Sequence, residues 1–108
     1  MKKLLPLAAA LLLTGCGAVK IGRILDEPAR YQNRTVTVKG TVDRSFGALV
    51  TGVYEVGDGT GKIYVLSNGG PPRTGTSVSV KGRVVNGITV GPRSFGTTLR
   101  EQSRHVHY

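Results

Sequence analysis

The chain has 108 residues, which sets a single domain as the expectation. Its one cysteine excludes an intrachain disulfide, and with no tryptophan and six aromatic residues the core must be built mainly of Val, Ile and Leu. Fifteen Lys and Arg against six Asp and Glu give a net charge of +9, which points to affinity for polyanions such as nucleic acid, anionic lipid or lipopolysaccharide, or to a plain basic surface.

The first sixteen residues read as an export signal. Lys2 and Lys3 form a positive n-region, and Leu4 to Leu13 are ten apolar residues including Pro6. A helix needs ~20 apolar residues to cross a bilayer, so this run fits the apolar core of a secretory leader instead. Leu13-Thr14-Gly15-Cys16 follows directly. This order resembles the bacterial lipobox. The resemblance implies cleavage before Cys16, a diacylglyceryl group on its sulfur and acylation of the new amino group. It divides the chain into a leader (residues 1–15), a lipidated cysteine and tether (16–20) and a folded domain (21–108). Without Lys2 and Lys3, thirteen basic side chains face six acids, or +7. By resemblance to the Gram-negative sorting rule, Gly17 rather than Asp after the cysteine implies the periplasmic side of the outer membrane. An ordinary leader followed by a free cysteine is the plainer alternative.

After the tether, Ile21, Ile24 and Leu25 are spaced for one apolar helical face. Pro28 suits the first turn of a second short helix, and Tyr31 is expected to pack where this segment meets the first strand. Arg34 to about Asp43 alternates with period two, placing Val36, Val38, Gly40 and Val42 inward. Ser77 to Val85 repeats the design with Val78, Val80, Gly82 and Val84 inward. Inward glycines predict a strongly curved sheet whose opposite walls crowd each other. Arg44-Ser45-Phe46-Gly47 reads as a loop, and a second strand is expected from about Leu49 to Val56. Gly57-Asp58-Gly59-Thr60-Gly61 is a dense turn signal, in which Asp58 is suited to accept hydrogen bonds from turn amides. Lys62 to Leu66 forms a third strand with Ile63 and Val65 inward, and Ser67 to Gly75 a loop. Asn86-Gly87 predicts a type I′ hairpin turn returning through Ile88 to Val90. Gly91-Pro92-Arg93 is expected to break that pairing, with a last strand from about Gly96 to Arg104 and a frayed tail carrying His105 and His107.

Five short strands, a curved valine-rich first strand and Asp58-Gly59-Thr60-Gly61-Lys62-Ile63 between strands two and three resemble the OB fold of anticodon-binding and other nucleic-acid-binding domains. With the lipobox, the chain resembles the small bacterial OB-fold lipoproteins. The resemblance covers roughly residues 21–104, and the helix usual between strands three and four is replaced here by Ser67 to Gly75. It implies an all-β class, a five-stranded OB-fold Greek-key barrel with a short N-terminal helical segment. It also implies that ligands meet the outer face of strands two and three, framed by the first and last loops.

By alternation, that outer face carries Val53, Glu55, Lys62, Tyr64 and Leu66, with Tyr54 and Val56 turned inward. Arg44 and Phe46 from the first loop and Arg93 and Phe95 from the last complete the candidate ligand-binding set around Lys62 and Tyr64. Asp58-Gly59-Thr60-Gly61 lacks the lysine spacing of a phosphate loop and reads as a turn. The six carboxylates show no paired acid and base spacing. His105 and His107, two apart, make a poor metal site by themselves. No enzyme, metal or cofactor is expected. The function expected is a lipid-anchored, non-catalytic binding module of the bacterial envelope with a protein or glycan partner. The alternative is a binder of polyanions or single-stranded nucleic acid.

Overall fold

A strand that must serve two neighbours has to bend, and the first strand does. The computed structural model describes residues 17–46, 52–90 and 93–107. The leader, Cys16, the start of the expected second strand at Leu49–Thr51 and the Gly91-Pro92 break lie outside them. Two short helices, α1 (Ile21–Asp26) and α2 (Pro28–Tyr31), precede β1 (Thr35–Ser45). The strands β2 (Val53–Gly57), β3 (Lys62–Leu66), β4 (Ser77–Val85) and β7 (Thr98–His107) complete a closed barrel in the order β1-β2-β3-β7-β4. Among the described strands only β3 and β7 run parallel, pairing Tyr64 with Thr98 and Leu66 with Arg100. This is the five-stranded, all-β barrel expected from the sequence.

Thr35–Thr41 of β1 pair with β4, and Thr41–Ser45 pair with β2. The register shifts between Val42 and Arg44, where the strand turns from one neighbour to the other. Arg44 and Ser45 therefore belong to the strand rather than to a loop, because β2 needs them as partners. At Gly40 an added Cβ would collide with the Gly57 carbonyl of β2 and lie 2.9 Å from Val56 Cγ1. At Gly82 it would lie 2.5 Å from the Arg100 carbonyl oxygen and 3.0 Å from Leu99 Cγ. The crowding thus comes from the backbone of the adjacent strand, not from the opposite wall. β7 is irregular opposite Gly82, where Lys81 pairs with Ser103 but Gly82 pairs with Glu101.

The inward valines of β1 and β4 meet Val56, Ile63, Val65, Leu99 and the fully buried Tyr54 in one core. Ile21 and Ile24 of α1 join it, with Val19, Tyr31 and Val106 partly buried against it. Leu25 departs from the expected apolar face. It is 37% exposed and lies over Gly61 beside the β2–β3 turn. The described core runs from Val19 to Val106, within a chain that begins at Gly17.

α1 has no side-chain cap of its own; Lys20 stands at its N-cap. Its first two amides are satisfied from the β2–β3 turn instead. Ile21 N–H donates to Asp58 Oδ2 at 2.9 Å, and Gly22 N–H donates to Thr60 Oγ1 at 2.9 Å. Thr60 N–H and its hydroxyl donate to the other Asp58 oxygen. Partial burial opposes ionisation of Asp58, but the hydrogen bonds from Ile21, Thr60 and Gly61 outweigh it and hold the carboxyl below its ordinary value. The turn motif therefore fastens the helix to the barrel as well as turning the chain.

Asn86-Gly87 does not make the expected hairpin. Both edges of β4 are already occupied by β1 and β7, so β5 (Ile88–Val90) pairs with β6 (Arg93–Phe95) as a separate ribbon. Gly87 has φ 74°, but Asn86 does not share a positive φ, which a type I′ turn needs. The Asn86 side chain instead donates to Gln32 and accepts from the Thr97 hydroxyl at 2.8 Å. The expected frayed tail is strand. His105 and His107 pair with Ser79 and Ser77 at the end of β7. Ser67–Thr76 contains no helix, as expected.

Candidate ligand face on the outside of β2 and β3

Register aligns the outer residues of four strands into rows. Arg44 stands opposite Glu55, Glu55 opposite Tyr64, and Tyr64 opposite Thr98. In the next row Phe46 N–H donates to the Val53 carbonyl at 2.8 Å, and Val53 stands opposite Leu66. Lys62 begins the third row, 3.6 Å from Asp43 in an exposed ion pair. Cations and carboxylates alternate here, so the face has no strong sign.

Its centre is apolar. Tyr64 meets Phe95 edge-on with ring centroids 4.7 Å apart, and Phe46 lies tilted 6.0 Å from Tyr64. Val53 and Phe95 are buried in this cluster, while Phe46, Tyr64 and Leu66 are half-buried against them. The β5–β6 ribbon supplies Phe95, which at 6% exposure covers Val53 rather than standing free on a loop. Edge-to-face rings at these separations attract each other beyond their buried area. Tyr64 is therefore engaged within a small second core on the outside of the barrel, not presented as a free stacking platform.

Of the six sequence-predicted residues, Phe46, Tyr64 and Phe95 touch as one cluster. Arg44 is exposed in the row of Tyr64, and Lys62 lies two residues from it. Arg93 pairs through its backbone with Val90, two positions before Phe95. Sequence reasoning passed over the contribution of Val53 and Leu66. The signal was present, since two apolar residues at outward positions of neighbouring strands call for a cover.

A second polar group lies where β3 ends and β7 continues. Tyr54 donates its hydroxyl to Glu101 Oε1, Ser67 donates to Glu101 Oε2 at 2.8 Å, and Arg104 approaches Glu101 Oε1 at 3.5 Å. Arg104 also donates to the Gly70 carbonyl at 2.7 Å and lies 5.7 Å above the Tyr54 ring. Burial first, and then the Glu101 hydrogen bond and charge, push the Tyr54 phenol well above its ordinary value of 10.0, so it stays protonated. The group ties the Ser67–Thr76 loop to the barrel. Its carboxylate is consumed by three donors, which suits a structural tie rather than proton transfer.

Among the described residues no three His, Cys, Asp or Glu gather as metal ligands. His105 and His107 lie 4.8 Å apart ring to ring, and His107 Nε2 is 2.8 Å from Ser79 Oγ. No described helix is long and apolar enough to cross a membrane. A scan against protein-family models and a search of curated proteins found no match for this chain.

Proposed function

We propose that this chain is a lipid-anchored, non-catalytic binding module of the bacterial cell envelope. Cys16 holds it to the membrane, and the outer face of β2 and β3 receives a protein or glycan partner. The observation that carries the reading is the external aromatic cluster. The inside of the barrel is filled by its own side chains, so a partner must be met on the outside. There, Phe46, Tyr64 and Leu66 are held rigid on buried Val53 and Phe95 and rimmed by Arg44, Glu55 and Lys62. Rigid rings with a polar rim are the arrangement of protein contact surfaces, and rings equally suit the apolar faces of sugars.

A photoreactive residue placed at Arg44, which is exposed beside the cluster, is expected to give a discrete adduct in intact envelopes. The same residue at Ala29, exposed on α2, is expected to give none. Equal labelling at both positions, or none at Arg44, would refute the assignment of this face.

A further inference from the structure

We propose that the outer face of β1, β4 and β7 lies against the anionic headgroups of the membrane that holds the lipid anchor. The inference rests on the proposed lipidation of Cys16. Alternation turns Lys39 of β1 and Lys81 and Arg83 of β4 away from the core, and all three are exposed. Arg83 stands directly opposite Arg100 of β7, which is also exposed. Like charges in that position repel unless an anion lies between or above them. Among the described residues none of these four cations has an ion pair.

The rest of the face is neutral or basic. Its other outward positions are Ser or Thr over Thr35–Thr41 of β1 and, with Val85, on β4, while β7 adds Thr98, Gln102, Ser103 and two imidazoles. The one carboxylate in Thr35–Thr41, β4 and β7 is Glu101, which accepts from Tyr54 and Ser67 and lines a pocket beside Arg83 and Arg100. Over Thr35–Thr41 of β1 and along β4 and β7 the outward side chains thus include no acid, while Asp43, further along β1, faces Lys62 on the β2 side. The acids of the chain are concentrated elsewhere, on the helices, on the β2 side and in the β2–β3 turn.

The position of the tether chooses the occupant. Val19 N–H donates to the Thr37 carbonyl at 2.7 Å, which pins the tether along the free edge of β1. Ala18, Val19 and Lys20 line one shallow pocket with Lys39 and Asp58. Asp58 is already engaged by Ile21 and Thr60. Only three peptide links separate Cys16 from Val19, at most ~11 Å of extended chain. An acyl group on Cys16 would therefore enter the bilayer beside this sheet. A headgroup plane needs only point charges and hydroxyls, each Lys or Arg near it strengthening binding about fivefold. Single-stranded nucleic acid would need stacking rings among the cations, and among the described residues this face carries no Phe, Tyr or Trp.

The test uses the unlipidated chain beginning at Gly17, sedimented with vesicles of phosphatidylglycerol in phosphatidylcholine and with vesicles of phosphatidylcholine alone. Binding to the anionic vesicles only is expected, weakened by added salt. The double variant Lys81→Ala, Arg83→Ala should bind about twenty-five-fold more weakly, at about fivefold per cation. Arg30→Ala on α2 should stay within about twofold, since that side chain lies elsewhere and pairs with Glu27. The replaced side chains are exposed, and matching melting curves would verify that the variants remain folded. The proposal is overturned by absence of vesicle binding, by equal loss in both variants, or by tighter binding of a single-stranded oligonucleotide than of anionic vesicles at the same salt. Because no lipid is attached, such a failure leaves the lipidation of Cys16 to be decided separately by mass.

Discussion

Gly40→Ala is expected to destabilise the barrel by about 1–3 kcal/mol, and Gly82→Ala by a similar amount. The added methyl is enough, because the Cβ itself meets backbone. At Gly40 it meets the Gly57 carbonyl where β2 leaves β1, and at Gly82 the Arg100 carbonyl beside the irregular stretch of β7. Neither atom is the end of a flexible side chain. Relief requires the strands to separate, which would disturb the pairing that closes the barrel. Gly70→Ala is the control. Its Cβ would meet nothing within 4 Å and its φ is not positive, so stability should be unchanged or slightly raised. Urea unfolding of the chain beginning at Gly17 reads all three. Unchanged midpoints for both Gly40→Ala and Gly82→Ala would contradict the close approach of the strands.

Glu101→Ala is expected to cost about 2–4 kcal/mol. It removes the acceptor of a fully buried tyrosine and leaves Arg104 without its carboxylate. Breaking a buried pair costs ~3–5 kcal/mol, and the figure is lowered here because the Arg104 side chain keeps 25% exposure. The same site sets an alkaline limit. The folded Tyr54 phenol titrates above its ordinary value of 10.0. Its contribution is therefore complete below that pH and is lost as pH rises toward the folded value. Urea midpoints should hold steady up to about pH 10 and fall above it. Tyr54→Phe should remove most of that fall. A midpoint independent of pH in the wild type, or an equal fall in Tyr54→Phe, would refute the role assigned to the hydroxyl.

What the sequence revealed of the fold was what is local. Val36, Val38 and Val42, and their counterparts on β4, declare their face by alternation, and Ile21 with Ile24 declares one side of a helical turn. The inward glycines were legible as positions, but not the reason for them, because the crowding atoms belong to Gly57 and Arg100 on other strands. Closure of the barrel is a long-range property, and it decided the outcome at Asn86-Gly87. That pair carries a strong local hairpin signal, yet β4 had no free edge for β5 to join. The reach of Asp58 back to Ile21 N–H likewise leaves no local trace.

The candidate site was legible in part. Alternation placed Tyr64 outside, and Phe46 and Phe95 do meet it. Their mutual burial was not foreseen, since the ribbon that carries Phe95 over Val53 exists only after closure. The Tyr54–Glu101–Arg104 group was hidden by the irregularity in β7. Leu99 and Glu101 point inward, and then Arg104 and Val106 do, so a simple period of two misplaces half of that strand. The cationic face of β1, β4 and β7 was spelled out residue by residue. Only the register, which sets Arg83 against Arg100, assembles it into one surface.

Intact-mass analysis of the protein extracted from membranes of its own cells tests the central claim most directly. The expected product is a chain beginning at Cys16, heavier than residues 16–108 by a diacylglyceryl group and an amide-linked acyl chain. A mass that retains residues 1–15, or a Cys16 that still reacts as a free thiol, would contradict it.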